Sequence, residues 1–410
     1  MFGYQDRAFY CEDVSLSDIA TAVGTPTYVY SRAAIVARAR AYLTNLPPDG
    51  LACYALKANS NLQILRLLAE IGLGADVTSG GELYLARKAG FPTEKTIFSG
   101  VGKTDAEIRQ ALSYGLRALH VESAMELAVV GEIAAEMGVV APVGVRMNPN
   151  IDAETHPYIS TGLHKHKFGV PIDQGIALLQ QAQEHAFLRP VSIASHIGSQ
   201  IRSLNPYAEA AQLLSDVAQE LKTAGISLNY IDIGGGWGLD YEAMNGGDGV
   251  TEIGRWLDEV KKPIDQAGFK FVAEPGRSIV GSAGCLLAQV VYTKQSAVKN
   301  FLITDAGMSD LIRPTLYQAY HPIVPLVCDT TAPEQVVDVV GPICESSDFL
   351  AKDRSLPQME RGDLLAVLNA GAYSFAMSSN YNGRLRPAEV LVNGSEWHII
   401  RSRETFDVLH

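Results

Sequence analysis

Hydrophobic and polar positions follow two alternating periods along the first two thirds of the chain. Short apolar, β-rich runs are typical of buried strands, and between them apolar residues recur at the three- to four-residue spacing of helices that face a core. The predicted strands cover 51–55, 74–77, 95–99, 117–121, 142–147, 191–197, 229–233 and 270–273. The predicted helices cover 61–71, 80–90, 104–114, 123–137, 172–185, 207–224 and 251–267.

The order of these elements predicts a barrel. Strands that alternate with helices indicate a parallel sheet covered by helices. Eight such units in about 240 residues fit a TIM-type (β/α)₈ barrel better than an open doubly wound sheet. We therefore expect an α/β protein with its barrel at 28–273. Polar residues suited to capping stand near five of the helix starts, at Asn61, Ser79, Thr104, Ser123 and Asp173.

The pattern changes after residue 275. Strand-like runs at 285–294, 300–306, 334–343, 363–370 and 388–400 are separated by Gly, Pro and Asn turns, with no long amphipathic helix among them. This texture predicts a C-terminal, mostly antiparallel β-sandwich domain at 274–410. Residues 1–27 are too few to fold alone, and we expect them to add strands to that domain.

Composition and charge narrow the function. The 410 residues are 47% hydrophobic and 19% charged, which provides a large core and excludes global disorder. Acidic residues outnumber basic ones by 45 to 33, a net charge of −12, so nucleic acid is not an expected partner. Neither a membrane span of about 18 apolar residues nor a basic, apolar leader is visible, and we expect a cytoplasmic protein. The five cysteines are scattered, without CxxC, and predict no disulfide framework.

Polar and ionisable residues stand at the carboxyl end of every predicted barrel strand. Active sites of this barrel class lie at that end, often with a phosphate site after the last two strands. Polarity at a single strand end is common in any protein, but here it recurs at all eight. The residues are Lys57, Asp76, Ser99, Glu122, Arg146, His196, Gly234 to Gly236, and Glu274.

Taken one by one, these residues leave ordinary roles open. Lys57 could form a Schiff base or serve as a structural lysine. The glycines of IDIGGGWG could present N–H groups to an anion or form a plain tight turn. They do not complete GxGxxG, because Leu239 occupies the last glycine position, so a dinucleotide site is not predicted. Glu274, beside Gly276 and Arg277, could be half of a surface ion pair.

Taken together, they suit pyridoxal 5'-phosphate. A lysine can bond to the cofactor carbonyl, glycines after the last two strands can hold the phosphate, and Glu274 can keep the ring nitrogen protonated. His196 is expected to stack on the ring, with Ser199 near the phosphate. This arrangement turns the cofactor into an acceptor for the electrons of a carbanion.

Two other motifs are weaker. SGVGKT at 99–104 resembles a phosphate-binding loop, but Ile97 stands where GxxxxGK[ST] needs glycine. His156, His164 and His166 lie in HPYISTGLHKHKFG without a nearby carboxylate or cysteine set. We expect no nucleotide site and no metal site at these places.

The motifs as a set resemble the bacterial diaminopimelate decarboxylase family. They are YALKAN, ADVTSGGEL, FSGVGKT, RMNP, HPYISTGLHKHKFG, SHIGSQ, DIGGGWG, EPGR, RPTLY, GPICESSD and GAYSFAMSSNYNGRLRPAEVLV, and they run in order from residue 54 to about 393. The resemblance implies a pyridoxal-phosphate barrel followed by a β-sandwich. It also implies a head-to-tail homodimer with active sites shared across the interface.

The resemblance also implies roles for single residues. It gives Lys57 as the cofactor-linked lysine, His196 as the stacking residue and Glu274 as the partner of the ring nitrogen. Cys344 and Glu345 are implied to come from the other subunit, with Cys344 as the proton donor. The implied cofactor contacts also include Asp76, Ser199, Gly234, Gly235, Gly236, Gly276, Arg277 and Tyr373. The implied substrate contacts are Arg277, Arg313, Tyr317, Glu345 and Tyr373.

The expected reaction is decarboxylation of meso-2,6-diaminopimelate to L-lysine, the last step of bacterial lysine biosynthesis. An ornithine- or arginine-type decarboxylase would share the cofactor residues, but has less need of two arginines and Glu345. A racemase of this fold would place an arginine opposite the ring nitrogen. A non-catalytic homologue should have lost Lys57 or Cys344.

Overall fold

The chain divides into two compact units, and each is built from more than one segment. The computed structural model describes residues 1–152, 167–329 and 331–409. One unit, here the barrel unit, contains Arg38–Gly238 and Gly249–Ser278. The other, here the sheet unit, contains Met1–Ala37, Leu239–Asp248 and the chain from Ile279 onward. Residues 28–37 and 239–248, which the sequence pattern assigned to the barrel, therefore pack with the sheet unit.

The N-terminal residues form a small sheet of their own. Strands β1 (Phe2–Gln5), β2 (Ala8–Cys11) and β3 (Val14–Ser15) pair in order, and helix α1 (Leu16–Val23) follows. Asp6 and Glu12 adopt positive φ, which folds each strand back on the one before it. An antiparallel bridge between Ala8 and Val327 joins these strands to the rest of the sheet unit, together with hydrogen bonds such as that from the Phe9 N–H to the Leu326 carbonyl oxygen at 2.9 Å. The large sheet instead receives β4 (Thr27–Ser31), and helix α2 (Arg32–Asn45) comes next.

The barrel unit contains a closed ring of eight parallel strands, as predicted. The ring runs β5-β6-β7-β8-β9-β11-β12-β13, and β13 pairs with β5 to close it. Its elements are β5 (Leu51–Ala55), α3 (Leu62–Ile71), β6 (Gly74–Val77), α4 (Gly80–Ala89), β7 (Thr96–Phe98), α5 (Asp105–Tyr114), β8 (Ala118–Val121), α6 (Ala124–Met137), β9 (Ala141–Asn148), β10 (Val170–Pro171), α7 (Ile172–Glu184), β11 (Leu188–Ala194), α8 (Asn205–Thr223), β12 (Tyr230–Asp232), α9 (Gly249–Gln266) and β13 (Lys270–Ala273).

Side-chain caps fix most of the predicted helix starts. The side chains of Asn61, Ser79, Thr104 and Ser123 each accept a hydrogen bond from a backbone N–H group of the first turn. Helix α7 differs, because Pro171 precedes it without a side-chain cap and Asp173 lies within its first turn.

Apolar residues fill the barrel interior toward the amino ends of its strands. The buried cluster there is Leu51, Cys53, Ile97, Ala118, Val191, Tyr230 and Val272. Several of these are at or near the first position of their strand, so the apolar filling leaves the carboxyl ends to polar residues. This division places the candidate site at the end that the barrel architecture predicts.

The sheet unit is mostly antiparallel, as predicted. A path β18-β17-β15-β14-β4-β20-β21 forms the sheet, and β19 joins it through β14 with β16 beside it. Two pairings, β15 with β17 and β20 with β4, are parallel. Helix α10 (Arg277–Val280) begins in the barrel unit and ends in the sheet unit. The later elements are β14 (Gly284–Gln295), β15 (Asn300–Thr304), α11 (Arg313–Tyr317), β16 (Ile323–Pro325), β17 (Glu334–Val340), β18 (Phe349–Pro357), β19 (Leu364–Val367), β20 (Ala388–Asn393) and β21 (Glu396–Arg401).

Within the described parts of the chain, we find no helix that combines the length and the apolar character needed to span a membrane.

Candidate active site

Lys57 lies at the open end of the barrel with its amine held by a buried acid. It follows β5 directly, in a short 3₁₀ turn, and β5 pairs with β6 so that Ala55 faces Asp76. The Lys57 Nζ is 3.1 Å from Asp76 Oδ2. The Asp76 side chain is fully buried, while that of Lys57 is 41% exposed. The buried carboxylate therefore fixes the ion pair, and the amine stays accessible.

Glu274 is a second acid at the barrel mouth, directly after β13. The Ser99 hydroxyl donates to its Oε1 at 3.3 Å. Removal from water and the negative charges of Asp232 and Asp76 raise the pKa of Glu274 well above its usual range. Glu274 therefore retains a proton unless a cation comes to face it. An acid in this state can pass its proton to a neutral ring nitrogen and then face the resulting cation as a carboxylate.

His196 follows β11 and presents a neutral ring. The Gly235 N–H donates to His196 Nδ1 at 3.2 Å, which leaves the proton of a neutral imidazole on Nε2. Burial and the positive charges of Arg146 and Lys57 lower the pKa of His196 well below its usual value. A neutral ring can lie against an aromatic cofactor without repelling a protonated ring nitrogen.

The glycine turn after β12 is packed so tightly that larger residues are excluded. Gly234 and Gly236 have φ of +66° and +97°. A Cβ atom on Gly235 would overlap the carbonyl oxygen of Glu274, and one on Gly236 would overlap that of Gly198. The turn therefore places backbone without side chains at the barrel mouth, where its N–H groups can approach an anion closely.

Arg277 and Ser199 meet beside this turn. Arg277 follows Gly276 and begins α10, and only 5% of it is exposed. Its Nη2 donates to Ser199 Oγ at 3.0 Å. The predicted cofactor contact Ser199 is therefore fixed by a buried guanidinium.

A cavity of about 390 Å³ lies inside the barrel unit, and its lining includes Lys57, Ser99, Arg146, His196 and Glu274. The size suits a small cofactor with part of a substrate. An accessible amine, an acid that retains a proton, a neutral ring and a glycine cradle are the donor set that pyridoxal phosphate needs. The residues therefore fit this cofactor.

The sheet unit carries the remaining predicted residues, beginning with Arg313 and Tyr317 one helical turn apart on α11. Arg313 is 4% exposed, its Nη1 lies 2.8 Å from His321 Nε2, and its guanidinium lies 4.4 Å from the centre of the Tyr241 ring. His321 is itself fixed at 2.8 Å to the Leu368 carbonyl oxygen. The sequence analysis missed His321 and Tyr241, because no spacing rule links them to Arg313.

Cys344 and Glu345 lie on an exposed loop of the sheet unit. The Cys344 N–H donates to Asn382 Oδ1 at 3.0 Å, and the Tyr381 hydroxyl donates to Glu345 Oε2 at 2.9 Å. Hydrogen bonds from the hydroxyls of Ser347 and Tyr381 lower the pKa of Glu345. The Thr315 hydroxyl of α11 donates to the Ser347 carbonyl oxygen at 2.6 Å, which joins this loop to the Arg313 helix.

Tyr373 adopts φ of +54°, an uncommon conformation for a non-glycine residue. The turn before it is held by a hydrogen bond of 2.8 Å from the Gly371 N–H to the Gly281 carbonyl oxygen. Strained backbone of this kind is concentrated at functional sites.

The two weaker motifs have different outcomes. Lys103 of SGVGKT is fully buried, and its amine donates to the Gly100 and His120 carbonyl oxygens and to Glu126. It is therefore a structural lysine. His156, His164 and His166 lie outside the described residues. Among the described residues, a ring nitrogen of His120 and one carboxylate oxygen each of Asp232 and Glu274 lie within 4.8 Å of one another, a proximity that the sequence analysis missed.

Known proteins resemble this chain in both sequence and structure. Residues 32–281 match the family described as "Pyridoxal-dependent decarboxylase, pyridoxal binding domain". Together with the barrel mouth, this match defines the class as a pyridoxal-dependent decarboxylase, and the residues above fit its cofactor. Diaminopimelate decarboxylase of Aquifex aeolicus is 46% identical over 99% of this chain and 96% of its own. That of Pseudomonas aeruginosa is 47% identical over 100% of this chain and 97% of its own.

A solved structure agrees over nearly the same extent. The crystal structure of diaminopimelate decarboxylase from Helicobacter pylori complexed with L-lysine matches with a TM-score of 0.91 at 42% identity, over 96% of this chain and 98% of that chain. The chain belongs to the diaminopimelate decarboxylase family.

Proposed function

We propose that this chain decarboxylates meso-2,6-diaminopimelate to L-lysine and CO₂, as the last step of lysine biosynthesis. The observation that carries the proposal is the cavity in which the Lys57 amine, the neutral His196 ring and Glu274 meet. Relatives named for this activity, matching almost the whole chain, support the choice of substrate.

The barrel residues bind and orient the cofactor. When bound, pyridoxal phosphate accepts the electron pair released as the bond between Cα and the carboxylate breaks. Lys57 would hold the cofactor through its amine, which Asp76 keeps in place. Glu274 holds the proton on the ring nitrogen, and His196 covers one ring face. Further cofactor contacts come from Ser199, Gly234 to Gly236, Gly276, Arg277 and Tyr373.

The substrate carries an ammonium and a carboxylate at both ends, so the end that does not react needs its own recognition. Arg277 and Arg313 can bind a carboxylate through paired N–H groups, and Tyr317 can add a hydroxyl donor. Glu345, whose lowered pKa keeps it ionised, can bind the ammonium group. Tyr373 is proposed to contact both cofactor and substrate. Binding energy from this end orients the reacting end.

Cys344 is proposed to supply the proton that replaces CO₂. The transfer runs from its Sγ to the substrate carbon. Cys344 and Glu345 are exposed in the single chain, which leaves them accessible to a second subunit. We propose a head-to-tail homodimer in which each subunit inserts this loop into the site of its partner. The family resemblance supports this arrangement.

A cytoplasmic location stays a prediction. All five cysteines are free thiols, which suits a reducing compartment. Fractionation of source cells with an antibody to the chain tests it.

A substrate panel tests the proposed function. The purified, cofactor-saturated enzyme is supplied separately with meso-diaminopimelate, L-lysine, L-ornithine and L-arginine, and released CO₂ and products are measured. We expect CO₂ and L-lysine from meso-diaminopimelate, at a kcat/KM at least about a hundredfold above the others, or about 2.7 kcal/mol. Preference for ornithine, arginine or lysine, or inversion of a substrate centre without CO₂, would contradict the proposal.

A further inference from the structure

Two carboxyl groups lie side by side in the barrel, and the proposed function uses only one of them. Asp232 ends β12, Glu274 follows β13, and the two strands are neighbours in the ring. A carboxylate oxygen of each, with a ring nitrogen of His120, lie within 4.8 Å of one another. Asp232 is fully buried.

Only one of the two Asp232 carboxyl oxygens accepts a hydrogen bond from the described residues. Its Oδ1 accepts from the Gly234 N–H at 2.8 Å. Its Oδ2 is buried, and no N–H or hydroxyl group of the described residues donates to it. The carboxyl of Glu274 interacts directly with that of Asp232. Two ionised carboxylates at this spacing would repel each other in a medium that screens poorly.

The other groups around Asp232 do not remove that repulsion. Asp76 adds a further acid, and burial keeps the thiol of Cys53 and the phenol of Tyr230 neutral. The positive charge of Arg117 lowers the pKa of Asp232 by less than burial and the charge of Asp76 raise it. His120 supplies no charge, because burial and the charges of Lys103, Arg146 and Arg117 lower its pKa to about 3. Its Nε2 already lies 3.2 Å from the Ser192 hydroxyl.

We propose that Asp232 is a positioning residue that stays protonated and donates a hydrogen bond from Oδ2 to the Glu274 carboxylate. Once a protonated ring nitrogen faces Glu274, the pair carries a single negative charge, and that charge lies on Glu274. The inference rests on the proposed role of Glu274 opposite the ring nitrogen. It is supported by burial and by the negative charge of Asp76, which raise the pKa of Asp232 to about 7 even though its hydrogen bonds to Gly234 and Glu274 lower it.

The consequence is a carboxylate fixed by two neutral donors. Ser99 donates to Oε1 of Glu274, and Asp232 donates from the barrel interior. Because both donors are neutral, the negative charge of Glu274 remains available to the protonated ring nitrogen. If Asp232 were the ionised member instead, Glu274 would hold the shared proton and the negative charge would lie on Asp232, away from the ring nitrogen.

Two substitutions separate a neutral donor from a charged group. The Asp232→Asn amide has the same shape, can accept from Gly234 and can donate to Glu274, but it cannot ionise. Asp232→Ala removes the donor. We expect Asp232→Asn to keep kcat within about threefold and the absorption spectrum of the bound cofactor, while Asp232→Ala lowers kcat at least about tenfold and shifts that spectrum. Asp216→Asn, on the exposed face of α8, is the matched control.

A second readout needs no activity. Because the folded protein holds the Asp232 proton more tightly than the unfolded chain, its stability falls as pH rises between the two pKa values. The melting temperature of the cofactor-free full chain should therefore fall more between about pH 5 and about pH 8 in the wild type than in Asp232→Asn. This comparison stands even if Asp232→Ala does not fold.

Three results would overturn the inference. They are an Asp232→Asn variant as impaired as Asp232→Ala, an Asp232→Ala variant indistinguishable from the wild type, and parallel pH profiles of stability. A wild type that decarboxylates no substrate would contradict the proposed function instead, and the stability comparison would still decide the role of Asp232.

Discussion

Single residues at the barrel mouth act mainly by controlling where protons and charges lie. Lys57 is held by a buried acid, His196 is kept neutral by burial and nearby cations, and Glu274 has a raised pKa because acids surround it. Each state follows from the neighbours of the residue more than from its type. Substitutions that keep shape and change charge are therefore the most informative.

Replacing Glu274 by Gln tests the charge on this residue. The amide preserves the contact with Ser99 but cannot balance a protonated ring nitrogen. We expect the variant to bind pyridoxal phosphate and to lose at least about tenfold in kcat, or about 1.4 kcal/mol of barrier. Glu132→Gln on the exposed side of α6 is the control. Steady-state kinetics on both variants decide the matter, and a loss below tenfold would remove this role from Glu274.

Replacing Lys57 by Ala tests the covalent attachment. The buried lysine of the barrel, Lys103, is bound by three oxygen acceptors and cannot substitute for it. We expect no measurable turnover, and loss of the visible absorbance that the lysine-linked cofactor gives. Lys88→Ala on the exposed face of α4 should behave as the wild type. Turnover with unchanged absorbance in Lys57→Ala would show that another amine holds the cofactor.

At the scale of elements, α11 and the Cys344 loop form a connected support within the sheet unit. His321 fixes Arg313 on α11, and Thr315 joins that helix to Ser347 of the loop. The support holds the proposed recognition groups at fixed positions.

Replacing His321 by Leu tests this support. Arg313 would lose the acceptor at 2.8 Å, and a hydrogen bond to a charged group is worth about 1.5–3 kcal/mol. We expect kcat/KM for meso-diaminopimelate to fall about tenfold, with the spectrum of the bound cofactor unchanged. His398→Leu on the exposed strand β21 is the control. Kinetics within about twofold of the wild type would contradict the positioning of Arg313 by His321.

The sequence predicted the elements whose side chains follow a clear period, and missed those that do not. All eight barrel strands were predicted, because each is buried and bounded by capping or turn residues. Helix α2 was missed because its alanines lie on every side, and β18 because it carries AKDRS in its centre. Lys57, His196 and Glu274 were predicted from strand ends. The pairing of Asp232 with Glu274 was not, since it depends on which strands are neighbours in the ring.

At the scale of the whole molecule, the proposed site draws on two chains. Lys57 and Cys344 would then come from different subunits of an isologous dimer. Mixing Lys57→Ala with Cys344→Ala subunits under verified exchange should restore activity, because half the dimers are mixed and each has one intact site. We expect about a quarter of the wild-type rate, measured as CO₂ release. If mixing restores no activity, both residues act from the same chain. As a control, Cys328→Ala subunits are mixed with Lys57→Ala subunits in the same way, and this mixture should stay active.

The central claim is that this enzyme removes the carboxylate from one end of meso-diaminopimelate as CO₂ and puts a proton from Cys344 on the same carbon. The most direct test runs the reaction in D₂O and analyses the product by mass spectrometry and NMR. The account predicts L-lysine with one non-exchangeable deuterium on the carbon that lost CO₂, and one CO₂ for each lysine. Deuterated diaminopimelate without CO₂, or CO₂ released only from ornithine, arginine or lysine, would contradict it.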